Sequence, residues 1–356
     1  MRILVTGVGG PTPRSILTVL RRSYPDATLV GADCNPRALG FFIPGLLDKR
    51  FVVPRAGDTM SYFSAVRKII DDEDIDLAIV QPEVEVLAWG EFRRQHDGFP
   101  CPAVIPPLSH SQALVNKANM ADLLSGTEYI PKTIIITAGN SRKREIREKI
   151  GYPCWIRSAT GSGGAGSLKL NSEKDLDAWL LVYAGVEEAT VSEFLPGRHL
   201  ANQMLYLNGS LQINAGLECV EYVMAEIAPS KVTGNTSFGR LINDDGLLAF
   251  CEEVIEFIAK ELDVPPHGVY SFDLKEDAIG RPRVTEINVR HMAYTGVLAK
   301  CGADFVSATV DYLRSGIAGR EPVRHRYDSD YVFLRDVDIE PILASESELS
   351  LGIVHA

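Results

Sequence analysis

Asp273, Glu286 and Asn288 lie in two apolar, β-rich runs, 268–274 and 284–290, separated by a turn-forming stretch at 276–280. The runs read as a hairpin, so that Asp273 and Glu286, thirteen positions apart, sit on adjacent strands facing one space. Asn288 shares the face of Glu286 by the two-residue period of a strand. Two carboxylates and an amide oxygen are hard donors suited to Mg²⁺, an ion that bridges phosphates while keeping some of its waters. A solvated hairpin with alternating polar residues gives the same spacing.

A second stretch with chemical capacity is Thr160-Gly161-Ser162-Gly163-Gly164-Ala165-Gly166-Ser167, between a strand ending at Arg157 and another at 168–170. Its small residues leave backbone N–H groups unobstructed, so a loop of this kind can close over triphosphate oxygens. No Gly-Lys-Ser/Thr follows, so it is not a Walker A loop, and a hairpin turn or flexible linker is the alternative. A third stretch, Gly7-Val8-Gly9-Gly10-Pro11-Thr12-Pro13, supplies two glycines of a dinucleotide fingerprint, and Asp33 closes the second strand. Thr12 occupies the third glycine position, and Pro11 and Pro13 remove backbone donors from the turn. An NAD(P)-dependent oxidoreductase rests on this defective turn alone.

The elements that must position these residues follow from hydrophobic periodicity. Strands at 2–6, 28–32, 51–53, 77–80 and 103–105 alternate with helical stretches including 59–71 and 83–94. That alternation predicts a parallel sheet with right-handed crossovers, a Rossmann-like layer over 1–112. Further on, Asn116-Lys117 opens a short helix, strands follow at 134–137 and 189–193, and a helix period runs from 247 to 262. A helix over 303–313 closes this part, and the polar stretch from 319 carries no assigned role.

Composition narrows the function classes. A chain of 356 residues with 46% hydrophobic and 23% charged residues is globular, long enough for two or three domains. Its apolar runs are too short to span a bilayer, and it opens on a strand and a glycine turn, so no membrane and a cytoplasmic location are expected. A net charge of −11 repels polyanions and argues against nucleic acid. The six cysteines form no close pair and read as reduced thiols.

The order of motifs (Asn116-Lys117 at a helix start, Ile130-Pro131-Lys132-Thr133, Gly151-Tyr152-Pro153 before a strand ending in Arg157, then the small-residue loop) resembles the ATP-grasp superfamily. More narrowly it resembles the carbamoyl-phosphate-synthetase-like and biotin-carboxylase-like members. The first layer resembles their pre-ATP-grasp domain, which Asp33-Cys34-Asn35-Pro36 also fits. The resemblance covers about residues 1–320. It implies an α/β and α+β chain, with a pre-ATP-grasp domain over 1–112 and a two-lobed ATP-grasp domain over 113–318. The smaller lobe would span about 125–192, and 319–356 would form an extension.

The same resemblance implies roles. Lys117 and Arg157, the latter where relatives usually carry Lys, would contact nucleotide phosphates beneath a lid of Gly161, Ser162, Gly163, Gly164, Ala165 and Gly166. The main chain after Glu193, at Phe194 and Leu195, would hydrogen-bond adenine, and His199, where many relatives have Glu, would neighbour ribose or phosphate. Asp273, Glu286 and Asn288 would hold Mg²⁺ or Mn²⁺, with Val289 replacing the usual proline. Arg290 would reach the transferred phosphoryl group, with Lys231 and Arg240 as basic residues on the substrate side. The implied activity is an ATP-dependent carboxylate-amine or carboxylate-nucleophile ligase that works through an acyl phosphate and releases ADP and phosphate. Its partners would be ATP, a small carboxylate, an amine or other nucleophile and, by family habit, a second copy in a homodimer. A nucleotide-binding regulatory or scaffold protein without turnover is the alternative that Arg157 and His199 raise. No internal repeat is visible, which excludes a duplicated carbamoyl-phosphate synthetase, and no amidotransferase signature is present.

Overall fold

Strand β1 (Arg2–Thr6) is a run of apolar and β-branched residues, and it pairs in parallel with β2 (Thr28–Asp33) on one side and β4 (Leu77–Ile79) on the other. β3 (Lys49–Val52) continues the sheet beyond β2. Helices α1 (Pro11–Ser23), α2 (Thr59–Asp72) and α3 (Glu83–His96) make the crossovers. The computed structural model describes residues 1–161, 164, 166–318, 322–336 and 353–355, the last as backbone. The strand expected at 103–105 shrinks to a single bridge between Ala103 and Ala78, because Pro102 and Pro106 on either side have no N–H to give a ladder.

After α4 (Leu108–Val115), the Asn116 side chain accepts from the backbone N–H groups of Ala118 and Asn119 and so starts α5 (Lys117–Leu123). The second sheet is antiparallel, ordered β5-β8-β6-β7, from β5 (Thr133–Thr137), β6 (Cys154–Ser158), β7 (Leu168–Leu170) and β8 (Glu188–Glu193). Its strands alternate between two faces. Ile134, Ile156 and Val191 join Leu176 and Trp179 of the helix Glu173–Val182 in one core. Thr133, Trp155, Arg157, Thr190 and Ser192 line a cavity on the opposite face.

The third sheet receives β9 (His199–Leu207), β10 (Ser210–Tyr222), β11 (Thr236–Ile242), β12 (Gly268–Glu276) and β13 (Pro282–Asn288). Two strands from the stretch that the sequence left unassigned complete it: β14 (Val323–Arg324) beside β10 and β15 (Val332–Leu334) beside β11. The helix Asp245–Leu262 packs Cys251, Val254, Ile255 and Ile258 into the core that holds Tyr270 and Phe272 of β12. That core also contains Val66 and Trp89, so the first layer and the third sheet are packed together. Finally β16 (Ile353–His355) pairs in parallel with β3 and becomes the outer strand of the first sheet. Among the described residues no helix is long and apolar enough to cross a membrane.

Candidate active site

A cleft of about 590 Å³ lies between the second and third sheets, within the usual size range of small-molecule sites. Lys117, at the first position of α5, is only 7% exposed. Its Nζ donates to the Gly161 carbonyl at 3.0 Å and lies 3.3 Å from Glu286 Oε1. Arg157 near the end of β6 donates to the Thr285 carbonyl and has Nη1 3.9 Å from Glu286 Oε2, while its buried Nε has no hydrogen-bond partner among the described residues. Arg157 lines the cleft, and an unsatisfied guanidinium N–H is spare hydrogen-bonding capacity.

The hairpin has the register its sequence predicts. Asp273 and Glu286 are direct cross-strand partners, and Asn288 Nδ2 reaches Asp273 Oδ2 at 3.4 Å. Burial, and after it the facing charge of Glu286, pushes the Asp273 carboxyl well above the ordinary range. Among the described residues Asp273 has no cation in ion-pair contact. Two in-register carboxylates, of which Asp273 has no ion-pair partner among the described residues, plus an amide oxygen with a lone pair to spare, fit a hard divalent cation such as Mg²⁺. Arg290 Nη2 donates to Asn288 Oδ1 at 3.1 Å, and its Nε lies 3.8 Å from Glu83 Oε1 at the start of α3. Glu83 was not singled out by the sequence, since its approach depends on docking of the first layer.

Phe194 and Leu195 line the cleft just after β8, as does Glu193, whose Oε2 accepts from the Lys132 backbone N–H at 3.0 Å. The following turn is pinned. Arg198 donates to both oxygens of Glu276 at 3.0 and 2.6 Å, and a Cβ on Gly197 would fall 2.5 Å from Glu276 Cβ. His199 pairs through Nδ1 with the Tyr222 hydroxyl. Burial, helped by the Lys275 and Arg157 charges, lowers its imidazole to about 3, so it is neutral at physiological pH. Lys275 follows Asp273 by two residues and therefore lines the same cleft, a placement the period of the strand could have signalled.

On the opposite rim, Gly164 and Lys231 line the cleft, and Lys231 Nζ lies 3.5 Å from Glu226. A Cβ on Gly164, which has φ +74, would sit 2.6 Å from the Val232 carbonyl oxygen, so the glycine loop rests on the loop around Lys231. Gly161 also lines the cleft, whereas Gly166 does not: its carbonyl accepts from Trp179 Nε1 at 2.8 Å. Ser162, Gly163 and Ala165 lie outside the described residues. Arg240 is not brought into the lining either. It stands opposite Glu218 in the β10–β11 register, with Nη1 3.4 Å from Glu218 Oε2, and only that glutamate faces the cleft.

The first glycine turn differs. Asp33 Oδ2 accepts from the Gly9 N–H and Oδ1 from the Asn35 N–H, both at 2.8 Å, so the acid that would receive a ribose hydroxyl is engaged by its own turn.

No protein-family model matches the sequence. A formate-dependent phosphoribosylglycinamide formyltransferase of Polaromonas naphthalenivorans is 27% identical over 130 residues, 36% of this chain and 32% of that protein. The match thus spans about a third of the relative's length. Among solved structures, the biotin carboxylase domain of Hydrogenobacter thermophilus 2-oxoglutarate carboxylase, in complex with MgADP and bicarbonate, superposes with TM-score 0.68 at 13% identity, covering 93% of this chain and 73% of that one. The Staphylococcus aureus N5-carboxyaminoimidazole synthetase complexed with ADP gives TM-score 0.68 at 14% identity, covering 94% and 81%. The chain has the fold of the ATP-grasp ligases, with a Rossmann-like layer in front of a two-lobed ATP-grasp domain.

Proposed function

We propose that this chain is an ATP-dependent ligase that activates a carboxylate as an acyl phosphate, couples it to an amine or comparable nucleophile, and releases ADP and phosphate. The observation that carries the reading is the convergence, within one cleft, of Lys117 and Arg157 on Glu286 and of Arg290 on Asn288, beside Asp273. Phe194 and Leu195 would flank adenine, and Lys117 and Arg157 would meet the phosphates. Asp273, Glu286 and Asn288 would hold Mg²⁺, which neutralises phosphate charge when bound.

Little covalent chemistry is asked of the side chains. Phosphoryl transfer is governed by in-line positioning and charge stabilisation, and the fixed cations supply both. Arg290, steadied by Asn288 and Glu83, would orient the acceptor carboxylate toward the γ-phosphorus. Neutral His199 would add no charge to the nucleotide cleft. A homodimer and the domain limits at 112 and 318 belong to the same proposal.

The test is a screen of carboxylic acids and amines for phosphate release. With the right acid, ¹⁸O from its carboxylate is expected in inorganic phosphate, with ADP as the nucleotide product. AMP formation, or label in AMP, overturns the acyl-phosphate mechanism.

A further inference from the structure

Beside the cleft, at the elbow around Tyr294, two arginines from distant parts of the chain come together. Arg14 lies in the first turn of α1, and its Nε donates to the Gly10 carbonyl at 3.1 Å. The next residue, Ser15, accepts from the Gly296 N–H at 2.8 Å, which fixes this turn against the elbow. Arg335 follows β15 and is held by three contacts: its backbone N–H donates to the Ser237 carbonyl at 2.7 Å, Nη2 donates to Asn235 Oδ1 at 3.2 Å, and Cζ lies 5.6 Å from the Tyr294 ring centroid. Tyr294 itself lines the cleft.

Arg335 is left with unused donor capacity. Arg335 Nη1 is buried without a hydrogen bond among the described residues. Burial and then the charge of Arg335 lower the Arg14 pKa, so the two groups feel each other's field. The first turn of α1 contains no acidic side chain to offset its positive end. Two like charges held this way are unfavourable until an anion lies between them, and a guanidinium fork matches the oxygens of a carboxylate or phosphate.

We infer that the acceptor substrate carries an anionic group, a phosphate or a carboxylate, that Arg14 and Arg335 bind at the Tyr294 elbow. The inference rests on the ligase reading, since it places an acceptor at the cleft that Tyr294 and Arg290 both line, and it gives the stretch after 319 a part in substrate selection.

The test uses the full chain saturated with Mg²⁺ and a non-hydrolysable ATP analogue, so that the nucleotide cleft is filled. Inorganic phosphate and acetate are then titrated separately by calorimetry. Saturable binding of one of them is expected, phosphate marking a phosphorylated acceptor and acetate a carboxylate one. Arg14→Ala and Arg335→Ala should each weaken that binding by about tenfold, while affinity for the analogue changes by less than about twofold. Arg335→Lys, which keeps the charge without the fork, is expected in between, and circular dichroism checks that each variant folds. Binding of neither anion, or binding that both alanine variants leave intact, overturns the inference. If the analogue itself does not bind, the ligase reading fails instead, and titrating the nucleotide-free chain and its variants still decides the anion site.

Discussion

Two regions of this molecule bring a glycine-rich loop close to an acid on a strand, and only one is left chemically unsatisfied. In the first layer, Asp33 accepts from Gly9 and Asn35, and the prolines of the turn offer no donors. In the cleft, among the described residues, the Arg157 Nε lacks a partner, and Asp273 faces Glu286 without a paired cation. Similar residue types therefore produce opposite outcomes. What separates a structural turn from a binding site is the hydrogen-bonding and charge capacity that remains once the protein has folded.

The contrast can be broken most sharply at Glu286. Glu286→Gln keeps the shape of the hairpin but removes a charge that faces Asp273, Lys117 and Arg157. Turnover should fall by about 100-fold with the thermal melt little changed. A folded variant with full, metal-dependent turnover would make the hairpin structural. Next in size is Gly164→Val, whose Cβ would collide with the Val232 carbonyl. Turnover is expected to fall by about tenfold, with nucleotide affinity nearly constant in equilibrium binding.

The first layer should respond in stability and not in nucleotide binding. It holds its own buried acid, Glu85, which accepts from the Tyr62 hydroxyl at 2.7 Å and which burial raises to about 7. The folded state therefore favours the protonated form. Its contribution is full below the ordinary glutamate range and is lost as pH rises toward about 7. Urea titrations should show stability declining by about 3 kcal/mol over that window, and Glu85→Gln should flatten the decline. The smallest effect is expected for Asp33→Ala, which removes the acceptor of two backbone N–H groups. It should cost about 1 kcal/mol and leave ATP affinity untouched; a gain of NAD(P) binding, or a loss of ATP binding, would break the contrast.

Much of this arrangement could be read from the chain. Period-two runs gave the strands, Asn116 the start of α5, and the spacing of Asp273 and Glu286 their register. The information that was not local escaped. Glu83 and Arg290 are brought within 3.8 Å by packing of the first layer on the third sheet, and no local pattern encodes that distance. Arg240 was displaced from its expected place by a cross-strand partner, Glu218, that only the β10–β11 register reveals. Residues 323–334 carry no strand signal in the sequence because strands of two and three residues leave no periodicity to detect.

β16 joins β3 from about 300 positions further along the chain, and this separation bears on folding and on self-association. Contacts of such long range raise the contact order and form only after a very large loop has closed. A three-residue strand is also weakly held, so it is expected to detach before the rest of the sheet and bare the edge of β3. That edge carries Lys49, paired with Glu73, and Arg50. Charged residues at a bared edge oppose pairing with the strand of another molecule. The first sheet can thus open locally at this edge with a built-in guard against aggregation.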